Sequence, residues 1–189
     1  MPKRTRTVAL LLVCPALAAC GAAQAHNAAP SRTAQDAAFK GSPPVLASLH
    51  AQANHLLGGG LSAFRARMNS LNGYPIVVNK WASWCGPCQI EFPAFQQAAV
   101  KYGRQVAFIG IDGKDSNGSA SAFLKRFPVT YPSYTDPHES IAGAYQASTY
   151  YPQTLFFTRR GHKTYVFDHA GPYESAAALE QDIRRYALK

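Results

Sequence analysis

An α/β fold, with a central mixed β-sheet carrying helices on both faces, is the architecture this sequence predicts. Three observations point to it. Two short apolar runs rich in β-branched residues, 74–82 and 105–113, are each followed by a helical pattern, as expected for strands joined by helical crossovers. Residues 153–171 read as two strands around a turn at 159–161, a hairpin signal. A helical stretch over 173–188 then closes the chain. The order β-α-β, helical crossover, β-β-α calls for parallel and antiparallel pairing in one sheet.

The elements follow in order along the 189 residues. Residues 1–19 read as a targeting segment. Lys3, Arg4 and Arg6 precede an apolar run over 8–19 that is too short for a permanent membrane span and is interrupted by Pro15. The run ends in Leu17-Ala18-Ala19-Cys20 followed by Gly21, which resembles the lipobox of bacterial lipoproteins and makes Cys20 the expected lipidation site. The alternative is ordinary cleavage after Ala23-Gln24-Ala25, which releases a soluble protein. Both readings export it: lipid-anchored at the outer face of the cell membrane or on its periplasmic side, or soluble and secreted or periplasmic.

Loss of residues 1–19 removes three basic and no acidic residues, lowering the formal charge from +9 to +6. No basic run with interleaved aromatics exists, so nucleic acid is not an expected partner. Residues 20–44 are rich in Ala, Ser, Gln, Asn and Pro and read as a flexible tether, leaving 45–189 as the folded domain. Within it, 45–57 reads as a short helix halted by Gly58-Gly59-Gly60. Leu57, Leu61, Phe64, Met68 and Leu71 form one apolar stripe of a second helix. After the strand at 74–82, Cys85 opens a helix running to about Tyr102, in which Pro93 is expected to produce a kink. Residues 119–127 read as helix and 131–147 as a loop with a short helix.

The chemistry is concentrated at Cys85 and Cys88. Of four cysteines, Cys14 leaves with the targeting segment and Cys20 is assigned to lipid, so this pair alone remains for the fold. In an exported protein it can cycle between dithiol and disulfide. A thiol at a strand end and first helical turn meets unpaired N–H groups and the positive end of the helix dipole, which stabilise thiolate and mark Cys85 as the nucleophile. Cys88, one turn later on the same side, can reach it to form or resolve a disulfide. Pro87 fixes the first turn beside Gly86, and Trp84 offers a flat apolar surface to a substrate chain. One Cys-x-x-Cys without a second pair falls short of a zinc set, and neither a metal nor a cofactor is assigned.

Trp84-Cys85-Gly86-Pro87-Cys88 at a strand–helix junction looks like the thioredoxin superfamily motif. The longer run 77–93 resembles the exported TlpA/ResA-type thiol–disulfide oxidoreductases: Asn79 stands where thioredoxins usually carry a buried Asp, and Glu91 follows Cys88 by three residues. The resemblance covers about 45–189 and implies a thioredoxin fold. It also implies a cis-proline at the strand after the crossover, for which Pro152 is the candidate, exposing the Tyr151 backbone to an extended substrate. Tyr151 is bulkier than the residue often found there, and Lys80 replaces an aromatic or aliphatic residue. Glu91 is expected to accept the proton of the resolving thiol, its pKa raised by burial; a solvent-facing glutamate is the plain alternative. The family's partners are disulfide-bearing exported proteins, with a membrane thiol transporter as electron donor. The implied activity is reduction of such proteins, for instance in cytochrome c maturation. A disulfide-forming oxidase and a non-enzymatic thiol or metal chaperone are the alternatives.

Overall fold

The computed structural model describes residues 31–160 and 164–189. The targeting segment, Cys20 and the first part of the tether lie outside the described residues.

Strands β1 (Leu56–Leu57), β2 (Ile76–Trp81), β3 (Ala107–Gly113), β4 (Ser133–Asp136), β5 (Gln153–Phe157) and β6 (Phe167–Ala170) form one sheet in the order β1-β4-β3-β2-β5-β6. The first four strands of that order pair in parallel; β5 pairs antiparallel with β2 and with β6. Helices α1 (Arg32–Phe39), α2 (Pro44–His50), α3 (Gly60–Ser70), α4 (Gly86–Tyr102), α5 (Asn117–Arg126), α6 (Ser140–Ala144) and α7 (Ala176–Asp182) surround it, and α7 runs on as a π-helical turn over Ile183–Ala187.

Side chains alternate across a strand, so β2 builds both layers. Val77 and Trp81 face a core with Phe92 and Phe95 of α4, Phe123 of α5 and Leu179 of α7. Ile76 and Val78 face the opposite core with Leu49, Phe64, Met68 and Ile141 of α2, α3 and α6. The same alternation sends Asn79 one way and Lys80 the other. Burial of Trp81 is completed by its Nε1–H donating to Ser133 Oγ at 3.0 Å and by stacking on Phe123. Gly110 makes that contact possible: a Cβ there would lie 2.0 Å from Ser133 Oγ.

Several expectations need correcting. The helix read over 45–57 stops at His50, because Asn54 turns left-handed with φ 63° and pins the chain elsewhere. Its N–H donates to Tyr131 O, its Nδ2 to Leu124 O, and its Oδ1 accepts from Val129 N. Leu56 and Leu57 therefore enter the sheet, and α3 begins at Gly60 with Gly59 at φ 93°, leaving Leu57 outside the helical stripe. Residues read as loop contain β4, whose polar Ser-Tyr-Thr-Asp sequence is stabilised by pairing with β3 and β1 rather than by apolar pattern.

The segment read as tether contains α1. Ser31 caps it by accepting from Ala34 N, and Phe39 stacks on His50 with ring centroids 3.8 Å apart. Gly103 admits this pair, since a Cβ there would lie 2.7 Å from Phe39. α4 continues through Pro93 as one helix. β6 begins only at Phe167, so the hairpin connection is longer than a tight turn, and 161–163 of it lie outside the described residues.

Candidate active site

Cys85 lies four residues past the end of β2, is extended (φ −84°, ψ 105°) and is the N-cap of α4, its sulfur accepting from Cys88 N at 3.1 Å. Gly86 and Pro87 form the exposed first turn, where the missing N–H of Pro87 costs nothing. The two cysteines are joined as a disulfide with Cα atoms 5.3 Å apart. Cys85 is 3% exposed and Cys88 fully buried, so the outer sulfur belongs to Cys85. On reduction, the helix N-terminus and the Cys88 N–H are in place to stabilise a Cys85 thiolate.

The loop before Cys85 is tied down. Ser83 N donates to Asp115 Oδ2 at 2.6 Å, and Trp84 Nε1 donates to Lys114 O at 3.0 Å. Trp84 remains 55% exposed, with its ring 4.7 Å from that of Tyr151. The Tyr151–Pro152 peptide bond is cis and directly precedes β5. Lys80 pairs with Gln153, so continuing the register brings Pro152 alongside the end of β2, next to the cysteine loop. Trp84, Cys85, Tyr151 and Pro152 are thus gathered at one sheet end.

Glu91, one turn beyond Cys88, is fully buried. Burial pushes its carboxyl well above the usual range, opposed by the Tyr173 N–H, which donates to Oε2 at 3.3 Å, and by the Asn79 side chain. The solvent-facing alternative does not hold. Tyr131, also fully buried, lies on the same side of the sheet near Asn79 and Glu91. At the end of β3, burial pushes Asp112 up to about 8, reinforced by the neighbouring Asp115 and Asp136.

Lys80 finds its partners on the opposite face. Completely buried, its ammonium lies 2.9 Å from Glu139 Oε1, donates to Ala147 O at 2.7 Å, and stands 3.7 Å from the centroid of the Tyr151 ring. Glu139 Oε2 meets Lys114 Nζ at 2.8 Å, and Tyr151 donates its hydroxyl to Glu139 Oε1 at 2.7 Å. Burial alone would raise the Glu139 pKa, but hydrogen bonds from Lys114, Lys80 and Tyr151 outweigh it and hold it down to about 2. Burial lowers the Lys80 pKa, against the opposing pull of Glu139. Sequence reasoning found Lys80 as an intruder in an apolar strand but not Glu139 or Lys114, whose only signal is their charge. No group of three or more His, Cys, Asp or Glu is arranged to hold a metal among the described residues.

A sheet of this order, with a Cys-x-x-Cys capping the helix after β2 and a cis-proline ahead of β5, defines a thioredoxin-fold dithiol protein. The family model described as AhpC/TSA matches residues 61–168, more than half of the chain, and the chain belongs to that family. Among curated relatives, the thiol-disulfide oxidoreductase ResA of Geobacillus kaustophilus is 26% identical over 67% of this chain and 68% of its own length. The thiol:disulfide interchange protein DsbE of Pseudomonas fluorescens is 32% identical over 48% of this chain and 49% of its own. The resemblance to the ResA type is borne out by these relatives. Matches to the first relatives span from 49% to 68% of their length. Among solved structures, Mycobacterium tuberculosis DsbF, in mixed oxidised and reduced forms, superposes with a TM-score of 0.56 at 29% identity, covering 62% of this chain and 84% of that one.

Proposed function

We propose that this chain is an exported thiol–disulfide oxidoreductase that reduces disulfides of other exported proteins. The observation that carries this reading is the Cys85–Cys88 pair at the N-terminus of α4, its outer sulfur flanked by exposed Trp84 and the Tyr151–Pro152 segment. In the reduced protein, Cys85 thiolate attacks one sulfur of a substrate disulfide. That bond breaks, the departing thiolate takes up a proton, and a mixed disulfide forms. The Cys88 thiol passes its proton to the Glu91 carboxylate one turn away and attacks Cys85 Sγ. The mixed disulfide breaks, the departing substrate thiolate takes up a proton from solvent, the substrate leaves with two electrons as a dithiol, and the Cys85–Cys88 disulfide is closed. A thiol donor in the membrane, such as a thiol transporter, returns the two electrons by the reverse exchange.

Export rests on the basic–apolar segment 1–19, and anchoring on the lipobox-like run ending at Cys20. Among the described residues no helix is long and apolar enough to cross a membrane. Relatives named ResA and DsbE support the chemistry, and apocytochrome c cysteines awaiting haem attachment are one fitting client. The test is insulin reduction with a dithiol donor, in which Cys85→Ser is expected to abolish turnover and Cys88→Ala to accumulate mixed disulfides. Undiminished turnover in Cys85→Ser refutes the mechanism. A reduction potential above about −150 mV refutes the reductase direction.

A further inference from the structure

Lys80, Lys114 and Glu139 are not needed for the thiol–disulfide steps above, yet they converge on the two aromatic walls beside Cys85. Four contacts close a ring. Trp84 Nε1 donates to Lys114 O, Lys114 Nζ pairs with Glu139 Oε2, Glu139 Oε1 accepts from the Tyr151 hydroxyl, and the Tyr151 ring returns to Trp84 at 4.7 Å. Lys80 sits beneath this ring of contacts. Its ammonium touches both Glu139 Oε1 and the Tyr151 face, and its second carbonyl partner, Tyr150 O at 3.3 Å, belongs to the chain leading into the cis-proline.

Two independent observations set the cluster apart from an incidental ion pair. Lys114 and Glu139 are both left-handed, at φ 52° and 53°, a conformation that side-chain-bearing residues hold only where their surroundings enforce it. Space is also reserved for the Tyr151 side chain: a Cβ on Gly113 would lie 2.2 Å from its hydroxyl oxygen.

We propose that Lys80 and Glu139 are positioning residues that lock Tyr151, and through it Trp84, as the preset walls of a groove for an extended polypeptide segment next to Cys85. This rests on the reductase reading of the same site. Exposed Tyr150 and Trp84, each more than half exposed, extend the groove outward as an aromatic surface, suiting a chain with apolar side chains flanking its disulfide. A small disulfide that touches only the sulfur does not use these walls. The locked walls bind ground state and transition state alike, so their loss appears in KM rather than kcat.

The experiment compares Lys80→Met and Glu139→Ala with the parent protein on insulin and on a small hydrophilic aliphatic disulfide, with the fold checked by circular dichroism. KM for insulin is expected to rise about tenfold in both variants, with kcat changed less than about twofold and kcat/KM on the small disulfide held within about twofold. Lys80→Met keeps the Lys114–Glu139 and Tyr151–Glu139 contacts, so it remains a test if Glu139→Ala does not fold. An unchanged insulin KM in folded Lys80→Met, or an equal loss on both substrates, overturns the proposal. Failure of the parent protein on insulin refutes the reductase reading instead. The clamp is then read from tryptophan fluorescence anisotropy of the reduced proteins. Trp81 is fully buried, so a fall in anisotropy in the variants reports release of Trp84, and an unchanged value overturns the proposal.

Discussion

Replacing Glu91 by Gln separates the buried proton from every other ionisable group in the fold. An unfolded glutamate ionises near pH 4.3, whereas burial of Glu91 holds its proton to a considerably higher pH in the folded protein. Between those two points the unfolded chain binds fewer protons than the native state, so Glu91 makes stability fall as pH rises. The slope is about 1.4 kcal/mol per pH unit and ends at the folded pKa. Glutamine has no proton to lose and no slope. The stability of Glu91→Gln minus that of the parent is therefore expected to grow from pH 5 to pH 6, by at most about 1.4 kcal/mol. Asp112, also raised, contributes equally to both proteins and cancels in the difference. The assay is urea unfolding of the oxidised forms at both pH values. A pH-independent difference refutes both the buried-acid argument and the proton-acceptor role built on it. In the reduced protein the same substitution is expected to slow resolution of the mixed disulfide by about a hundredfold, the lower end of general-base contributions.

Two further predictions concern what surrounds the site. Gly110→Ala places a methyl group against Ser133 Oγ and within 2.9 Å of Trp81 Nε1; displacing that acceptor strands the buried indole N–H, and a loss of about 3 kcal/mol, or roughly 8 °C in Tm, is expected by thermal melting. Glu139→Gln leaves the fully buried Lys80 ammonium without its counter-charge and should cost about 3–5 kcal/mol, while Lys80→Met leaves Glu139 paired with Lys114 and should cost about 1–3 kcal/mol, mainly the stranded Ala147 carbonyl and the lost cation–π contact; urea unfolding that ranks the two the other way refutes this account.

The legible parts of the sequence were those whose cause is local. Cys85 and Cys88 declare themselves by spacing, and the buried strands β2 and β3 by short apolar runs rich in β-branched residues. Four other features depend on distant partners. β4 has a polar sequence and exists because β3 offers it a parallel edge and Asp136 caps α6 through the backbone N–H groups of Ile141 and Ala142. β1 is two leucines that read as helix until Asn54 reverses the chain onto Tyr131. α1 buries no residue fully, and its one large apolar side chain, Phe39, meets His50 across the space left by Gly103. Glu139 lies in a polar loop, and nothing in its neighbourhood announces that its carboxylate meets a lysine from the middle of the sheet.

The two polar residues that interrupt β2 explain how one strand serves both halves of the chemistry. Asn79 and Lys80 are adjacent, so the pleat sends their side chains to opposite layers. Asn79 lies on the α4 side, where its side chain works against the burial that raises the Glu91 pKa. Lys80 lies on the α6 side, where it holds Glu139 and the face of Tyr151. On the mechanism proposed above the first position bears on proton transfer during resolution, and on the further inference the second bears on where the substrate chain is held. A one-residue slip of β2 against β3 and β5 would exchange the two faces and bury each polar group among the wrong partners. Register in this strand is therefore set by two polar demands in addition to the apolar alternation of Ile76, Val77 and Val78, and the same strand that carries Cys85 to its helix also aligns the residues that serve it.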